Sequence, residues 1–201
     1  MKKFELTSEF IVDISGAKLI RIKALIEFGN VKAGELGGYI EKEYNLDHNG
    51  NAWVSGNAHV RGNARVSGNA HVFGDAQVRG NAWVLGDAQV CGDAQVRDNA
   101  RVHGNAWVHG DTWVFGDAQV CGDALVCDDE DYAYAHGFGS INRTTTFFRL
   151  KDGDVGVLCG CFHGTLQEFR DKIRETHGET KKAQEYLMLA DLMELRFKKT
   201  F

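Results

Sequence analysis

From Gly50 to Cys127 the chain repeats one six-residue phrase without a single insertion: Gly, then Asn or Asp, then Ala, any residue, Val, any residue. Residues 50–127 make thirteen such units. The Val recurs at every sixth position from Val54 to Val126, and Ala stands two places before each, replaced only by Thr112. Gly opens every unit except the one that begins at Asp98. A period this strict, over more than a third of the chain, constrains the fold more than any composition does.

Ala and Val two places apart point to the same side of an extended chain, and the residue between them points to the other. Each unit is therefore a short strand with a dry face and a wet face. The Gly-Asn or Gly-Asp between units supplies a turn, because these residues tolerate positive φ at little cost. Strand and turn alternating at period six predict a hexapeptide β-helix, with three units to a coil of 18 residues and about four coils in all. A buried Val contributes roughly 1.5–3 kcal/mol. No unit stands alone, but stacked coils bury one continuous column of Ala and Val. An amphipathic helix is excluded, since Gly and Asn or Asp recur too often and period six does not hold a 3.6-residue face.

The flanks read differently. Residues 1–49 form a β-rich cap, with strand-like runs at 10–12 and 19–25 around an Ile14-Ser15-Gly16 turn. Repeat arrays need such caps because an end coil otherwise exposes its core and its strand edges. The period stops at Asp128–Asp131, and residues 128–142 read as an acidic linker and a solvated exit from the array. Residues 143–201 read as a small ββαα module. A hairpin spans 143–162 around Lys151-Asp152-Gly153-Asp154, and Thr165 with Glu168 forms a capping box that opens a helix closed by Gly178. A second helix runs from Lys181 to about Lys198.

The formal charge of −5 gives no global drive toward nucleic acid or an acidic membrane, so neither is an expected partner. There is no secretory signal and no apolar run near 18 residues, so a cytoplasmic location is expected. Five cysteines at irregular spacing suit reduced thiols better than a disulfide framework.

The stretch Lys32 to Lys42 (KAGELGGYIEK), the G-[ND]-A-x-V array and the tail motif Gly160-Cys161-Phe162-His163-Gly164-Thr165 resemble a group of hexapeptide-repeat proteins of bacteria and their phages. The resemblance covers nearly the whole chain. It implies that the β-helix is left-handed and parallel and that the protein is a homotrimer. Members of the group are often labelled transferases because acyltransferases share the solenoid, which is fold analogy and carries little weight.

Sorting the outward residues by 18 gives each edge of the prism its own character. Arg61, Arg79, Arg97 and Phe115 form one column, and the face that follows carries Arg65, Trp83, Arg101 and Gln119. The turn residues between them are Asn63, Asn81 and Asn99. Another edge stacks Asp75, Asp93, Asp111 and Asp129 beside Phe73, Cys91 and His109. Like charges one coil apart repel by roughly 0.8–0.9 kcal/mol even at water's dielectric, a cost that architecture does not require. Three readings stay open. Arg61, Arg65, Arg79, Arg97 and Arg101 with Trp83 form an anion site for a phosphorylated small molecule or a host protein. Alternatively, the basic edge of one subunit meets the acidic edge of the next, or the columns are a by-product of duplication in register.

Other chemistry is weaker. Cys159, Cys161 and His163 at period two would share a strand face, a partial metal site whose fourth ligand is missing locally, though His136 or His177 would serve. Against it, free cysteines are commonly small buried hydrophobes. His59, His71, His103 and His109 sit outward on the solenoid, without the paired-histidine spacing of β-helix carbonic anhydrases. An acyltransferase of this fold would take acyl-CoA between subunits and use a histidine such as His103 or His109 as general base. The array throws out no loop to build an acceptor site. Asp128–Asp131 lacks the alternate spacing of a calcium loop. The reading is a non-catalytic, homotrimeric binding or scaffold protein with no cofactor, and an acyltransferase is the alternative.

Overall fold

The computed structural model describes residues 2–139 and 143–198. Strands β1 (Phe4–Val12), β2 (Lys18–Ala24) and β3 (Leu36–Ile40) open the chain, followed by a 3-10 turn at Glu43–Asn45. Thirteen two-residue strands follow, β4 to β16, each the x-Val pair of one hexapeptide from Trp53–Val54 to Leu125–Val126. Each from β4 to β13 pairs in parallel with the strand 18 residues on, as Arg65 with Trp83 and Trp83 with Arg101. The fold is a parallel β-solenoid with three faces. Every repeat Ala and Val is fully buried, and so is Thr112, whose hydroxyl donates to the His109 carbonyl at 2.8 Å.

The solenoid is longer than the hexapeptides alone imply. β3 pairs in parallel with β5 (His59–Val60), and Leu46 bridges Val66, so two of the faces have five rungs and the third gains a fifth at Leu46. The first coil departs from the phrase because the antiparallel hairpin β1–β2 continues its sheet sideways through β3. Gly37 and Gly38 are required there, since a Cβ at either would stand 2.6 Å from a carbonyl oxygen of Val54 or Ala58.

A parallel solenoid has chemically distinct ends. The groups that flank each strand donate toward the next coil, as Trp53 N–H does to the Ala70 carbonyl and Ser55 N–H to that of Val72, so carbonyls at these flanking positions lack a partner coil at the first turn and N–H groups at the last. The buried Lys3 ammonium donates to the carbonyls of Gly50 and Ala52, at 3.2 and 2.8 Å. The buried Asn45 amide donates to those of Gly62 and Ala64. At the other end Trp113 N–H donates to the Asp129 carboxylate at 2.8 Å, Cys127 N–H to Asp131 at 3.1 Å and Gln119 N–H to the Thr146 hydroxyl at 3.0 Å. The acidic run is therefore not only a solvated exit, because two of its carboxylates cap the coil.

The tail is a four-stranded antiparallel sheet, β17 (Tyr132–Phe138), β18 (Arg143–Arg149), β19 (Val155–Cys159) and β20 (Phe162–Thr165), followed by α1 (Leu166–His177) and α2 (Lys181–Phe197). The expected 143–162 hairpin is thus the middle of a larger sheet, and β17 lies within the segment expected as linker. Its residues 140–142, and 199–201 of the tail, lie outside the described residues. The alternation of β18 joins the two cores. Phe148 and Tyr132 pack on the open end of the solenoid, whereas Phe147 packs with Phe169, Tyr186 and the rest of the helical core. The capping box opens α1 as expected, with Glu168 N–H donating to the Thr165 hydroxyl and Thr165 N–H to the Glu168 carboxylate. Gly178, at φ 56°, closes it.

Candidate functional site

The turn between the β5 face and the β6 face (β6, Arg65–Val66) is built four times over, and its residues form two adjoining columns. Arg61, Arg79, Arg97 and Phe115 follow their valines directly, and Arg65, Trp83, Arg101 and Gln119 point outward from the next face. Between them an amide ladder runs along the turn. Asn63 donates to Asn81 and Asn81 to Asn99, both at 3.1 Å, and Asn99 donates to the Asp117 carboxylate at 3.0 Å.

The six residues singled out by the 18-residue spacing do not share one environment. Arg61 is held by the β1–β2 hairpin, with Nε 3.0 Å from the Asp13 carboxylate and Nη1 donating to the Ser15 hydroxyl at 2.9 Å. The Asp13 carboxyl is held below the usual range, first by the Ser15 hydroxyl, then by the N–H groups of Ala17 and Ser15, and last by the Arg61 charge, against a smaller opposing effect of burial. Arg65 lies over the Tyr44 ring and reaches Asp47 at 3.5 Å. These two cations serve the N-terminal cap.

Arg79, Arg97 and Arg101 make no ion pair among the described residues, and the Nε atoms of Arg79 and Arg97 are buried without a hydrogen-bond partner. Arg97 is held between aromatic rings, 5.2 Å from the centroid of Trp113 and 4.9 Å from that of Phe115. Arg101 lies 5.2 Å over Trp83, one coil below it in the same sheet. Such stacking presents a guanidinium edge-outward while lowering its rotamer freedom.

Trp83 and Arg101 share a shallow cavity of about 420 Å³ with Asn81, Asn99, Asp117 and Gln119. Arg79 and Arg97 stand on the adjoining edge, outside that lining. The cavity offers a flat ring that is 42 % exposed, one cation, side-chain amides and one carboxylate. Its polar lining beyond Trp83 and Arg101 was readable in the same 18-residue columns, because Asn81, Asn99, Asp117 and Gln119 keep the register.

The remaining candidates are dispersed. His103 and His109 lie on different edges, and no carboxylate hydrogen-bonds to either imidazole among the described residues, so neither has the orienting partner of a general base. Burial holds His103 below the ordinary histidine range, with nearby His163 and Arg101 adding to the effect. Burial likewise lowers His59 and His71 and raises the Cys91 thiol. The Cys121 thiol is pushed up to about 11 by burial.

Cys159, Cys161 and His163 do not share a strand face. Gly160, at φ 63°, and Cys161 form the tight turn between β19 and β20, which breaks the period-two alternation. Cys159 pairs with Phe162 and lies beside Thr145 and Tyr186, whereas His163 pairs with Leu158 and lies against Gly122 and Phe148. Among the described residues no group of three or more His, Cys, Asp or Glu side chains is placed to hold a metal ion. No helix among them is long and apolar enough to cross a membrane.

Two stretches of the array, residues 64–80 and 94–110, match a family model described as the YdcK beta solenoid repeat. Both begin at the Ala of a hexapeptide, Ala64 and Ala94, so the match follows the register set out above. A search of the curated proteins finds no match for the chain. The likeness is to a repeat β-solenoid and extends over the columns that carry Arg65, Arg79, Arg97 and Arg101.

Proposed function

We propose that this β-solenoid is a non-catalytic binding or scaffold protein that recognises a small phosphorylated ligand with a planar ring, a nucleotide-like molecule, on the face carrying Trp83 and Arg101. The observation that carries the reading is the stacked Arg101–Trp83 pair in a concave, amide-lined surface, with no acid paired to Arg101 among the described residues. A ring stacks on Trp83, as bases do on aromatic side chains. The phosphate meets the guanidinium in a charge-assisted contact. Asp117 argues against bare phosphate and for a ligand that also carries hydroxyl or amino donors. Arg79 and Arg97, on the adjoining edge, extend the cationic surface toward a longer phosphate chain.

In the same reading the protein is a homotrimer, and the Arg79–Arg97 edge lies close to a neighbouring subunit. A protein partner with an acidic surface, such as a host factor, would use the same cations. Native mass spectrometry of gently purified protein, with adenosine monophosphate as added probe, tests the proposal. The expected result is a trimer that carries a phosphorylated adduct or binds the probe, and an Arg101→Glu trimer that does neither. A monomer would remove the subunit junction from the reading. A trimer whose Arg101→Glu form binds the probe as the parent does would remove the site.

A further inference from the structure

A second cavity, of about 240 Å³, opens in the C-terminal module between the β19–β20 turn and α1. Its inner wall is apolar, formed by Phe162, Phe169, Ile173 and the ring of Tyr186. The rings pack edge to face, with Phe162 and Phe169 centroids 5.4 Å apart and Phe169 and Tyr186 5.7 Å apart. Its mouth carries Arg143, Lys172 and His177, and His177 stacks on Tyr186 at 5.9 Å. Among the described residues no Asp or Glu lines it, although the chain as a whole has a charge of −5.

The backbone places the cation deliberately. Gly160 takes positive φ at the turn, and the Arg143 guanidinium occupies the space a Cβ there would need. Among the described residues Arg143 makes no ion pair. Lys172 pairs with Glu175 at 2.8 Å, but both side chains are more than half exposed, and such surface pairs yield readily to a better-placed anion.

An apolar wall with a cationic mouth fits an anion that carries an apolar body. The volume lies below the ~300–1,000 Å³ typical of sites for drug-sized molecules. We propose that the C-terminal module binds a small apolar monocarboxylate, its carboxylate on Arg143 and its body against Phe162 and Phe169. The site shares no residue with the Trp83–Arg101 face and stands whether or not that face binds a nucleotide.

Saturation-transfer NMR and calorimetry on the full-length chain, with benzoate as probe, test it. Benzoate is expected to bind with saturation transfer to its ring protons, while its neutral isostere benzamide and inorganic phosphate bind at least tenfold more weakly or not at all. Arg143→Ala should weaken benzoate binding about tenfold or more, the usual scale for a lost hydrogen bond to a charged group. Thr176→Trp, at the exposed rim, should block it sterically. Both variants alter exposed positions, and unchanged thermal unfolding would show that the fold is kept. Absence of benzoate binding, equal binding of benzamide, equal binding of phosphate, or full affinity in Arg143→Ala would each overturn the proposal.

Discussion

Lys3 and Asp129 occupy corresponding places at opposite ends of the solenoid. The ammonium of Lys3 donates to the orphaned carbonyls of Gly50 and Ala52, and the carboxylate of Asp129 accepts from the orphaned N–H of Trp113. Each end coil of a parallel stack lacks one neighbour, so some of its backbone groups need partners from outside the array. This chain meets unpaired carbonyls at the first coil with a cation and unpaired N–H groups at the last with carboxylates.

Asp129→Ala removes the acceptor of the solvent-exposed Trp113 N–H, and the expected loss is about 0.5–1.5 kcal/mol. Asp129→Asn keeps an acceptor oxygen and should recover more than half of that loss. Urea denaturation of the three proteins checks the order. Equal stability of the Ala and Asn variants would mean that the carboxylate does not serve as a cap.

Phe147 and Phe148 are adjacent, fully buried and on opposite sides of β18, so their truncation should damage different cores. Each Phe→Ala change is expected to cost about 3–5 kcal/mol. Hydrogen exchange separates them. Phe147→Ala should lower protection in α1 and α2 while the coils stay protected, and Phe148→Ala should first expose amides of the last coil, around Val120 and Val126. Loss of protection across both regions in either variant would show that the two cores unfold as one unit.

The solenoid was legible in the sequence because its constraint is local and repeated: Ala58 and Val60 say the same thing as Ala94 and Val96. The capping box at Thr165 and Glu168 was legible for the same reason, since its partners lie three residues apart. What escaped was long-range. Lys3 finds its carbonyls 47 and 49 residues away, and nothing in Lys2-Lys3-Phe4 marks one lysine as buried. Arg61 and Arg65 belong by spacing to the cationic columns, yet Asp13 and Asp47, supplied by the irregular first 49 residues, engage them. The metal-like trio failed on one glycine, because Gly160 turns the chain where alternation would have continued it. The amide ladder from Asn63 to Asp117 was present in the 18-residue columns, and it becomes part of a site only once Trp83 and Arg101 are seen stacked beside it.

Asp98 is the one non-glycine residue at positive φ, 62°, among the described residues, in a position where the other twelve units have Gly. An L-residue there is strained by about 1 kcal/mol, less for Asp than for most. Its carboxylate offsets part of this by accepting from Gly116 N–H at 3.3 Å. Asp98→Gly is therefore expected to change stability by no more than about 0.5–1 kcal/mol, in the stabilising direction. Gly80→Ala makes the contrast, since its Cβ would sit 2.9 Å from the Asp98 nitrogen at φ 72°. It should destabilise by about 2 kcal/mol or more. If thermal melts show Asp98→Gly to be the more damaging of the two, the Asp98 carboxylate has a role beyond tolerating the turn.

The pH dependence of stability should carry the mark of Lys3. Burial pushes its ammonium down to about 8, against a smaller opposing pull from Asp47. Below pH 8 both folded and unfolded chains hold the proton, so the group contributes no slope. Between about 8 and 10.5 the folded chain has released the proton and the unfolded chain still holds it, so stability rises with pH, by up to the order of 3 kcal/mol. The neutral amine keeps two N–H groups for the two carbonyls, so the cap survives the titration. Cys121 acts in the opposite sense. Its thiol is pushed up to about 11 by burial, so the folded chain holds a proton that the unfolded chain loses above about 9, and stability falls from there. The wild type should therefore gain stability from pH 8 to 9 and flatten above it. A Lys3→Met variant should lack the gain, with the stability difference between the two proteins moving in the wild type's favour as pH rises from 7.5 to 10. Urea midpoints that stay a constant distance apart over that range would place the Lys3 ammonium in contact with water and remove it from the buried cap.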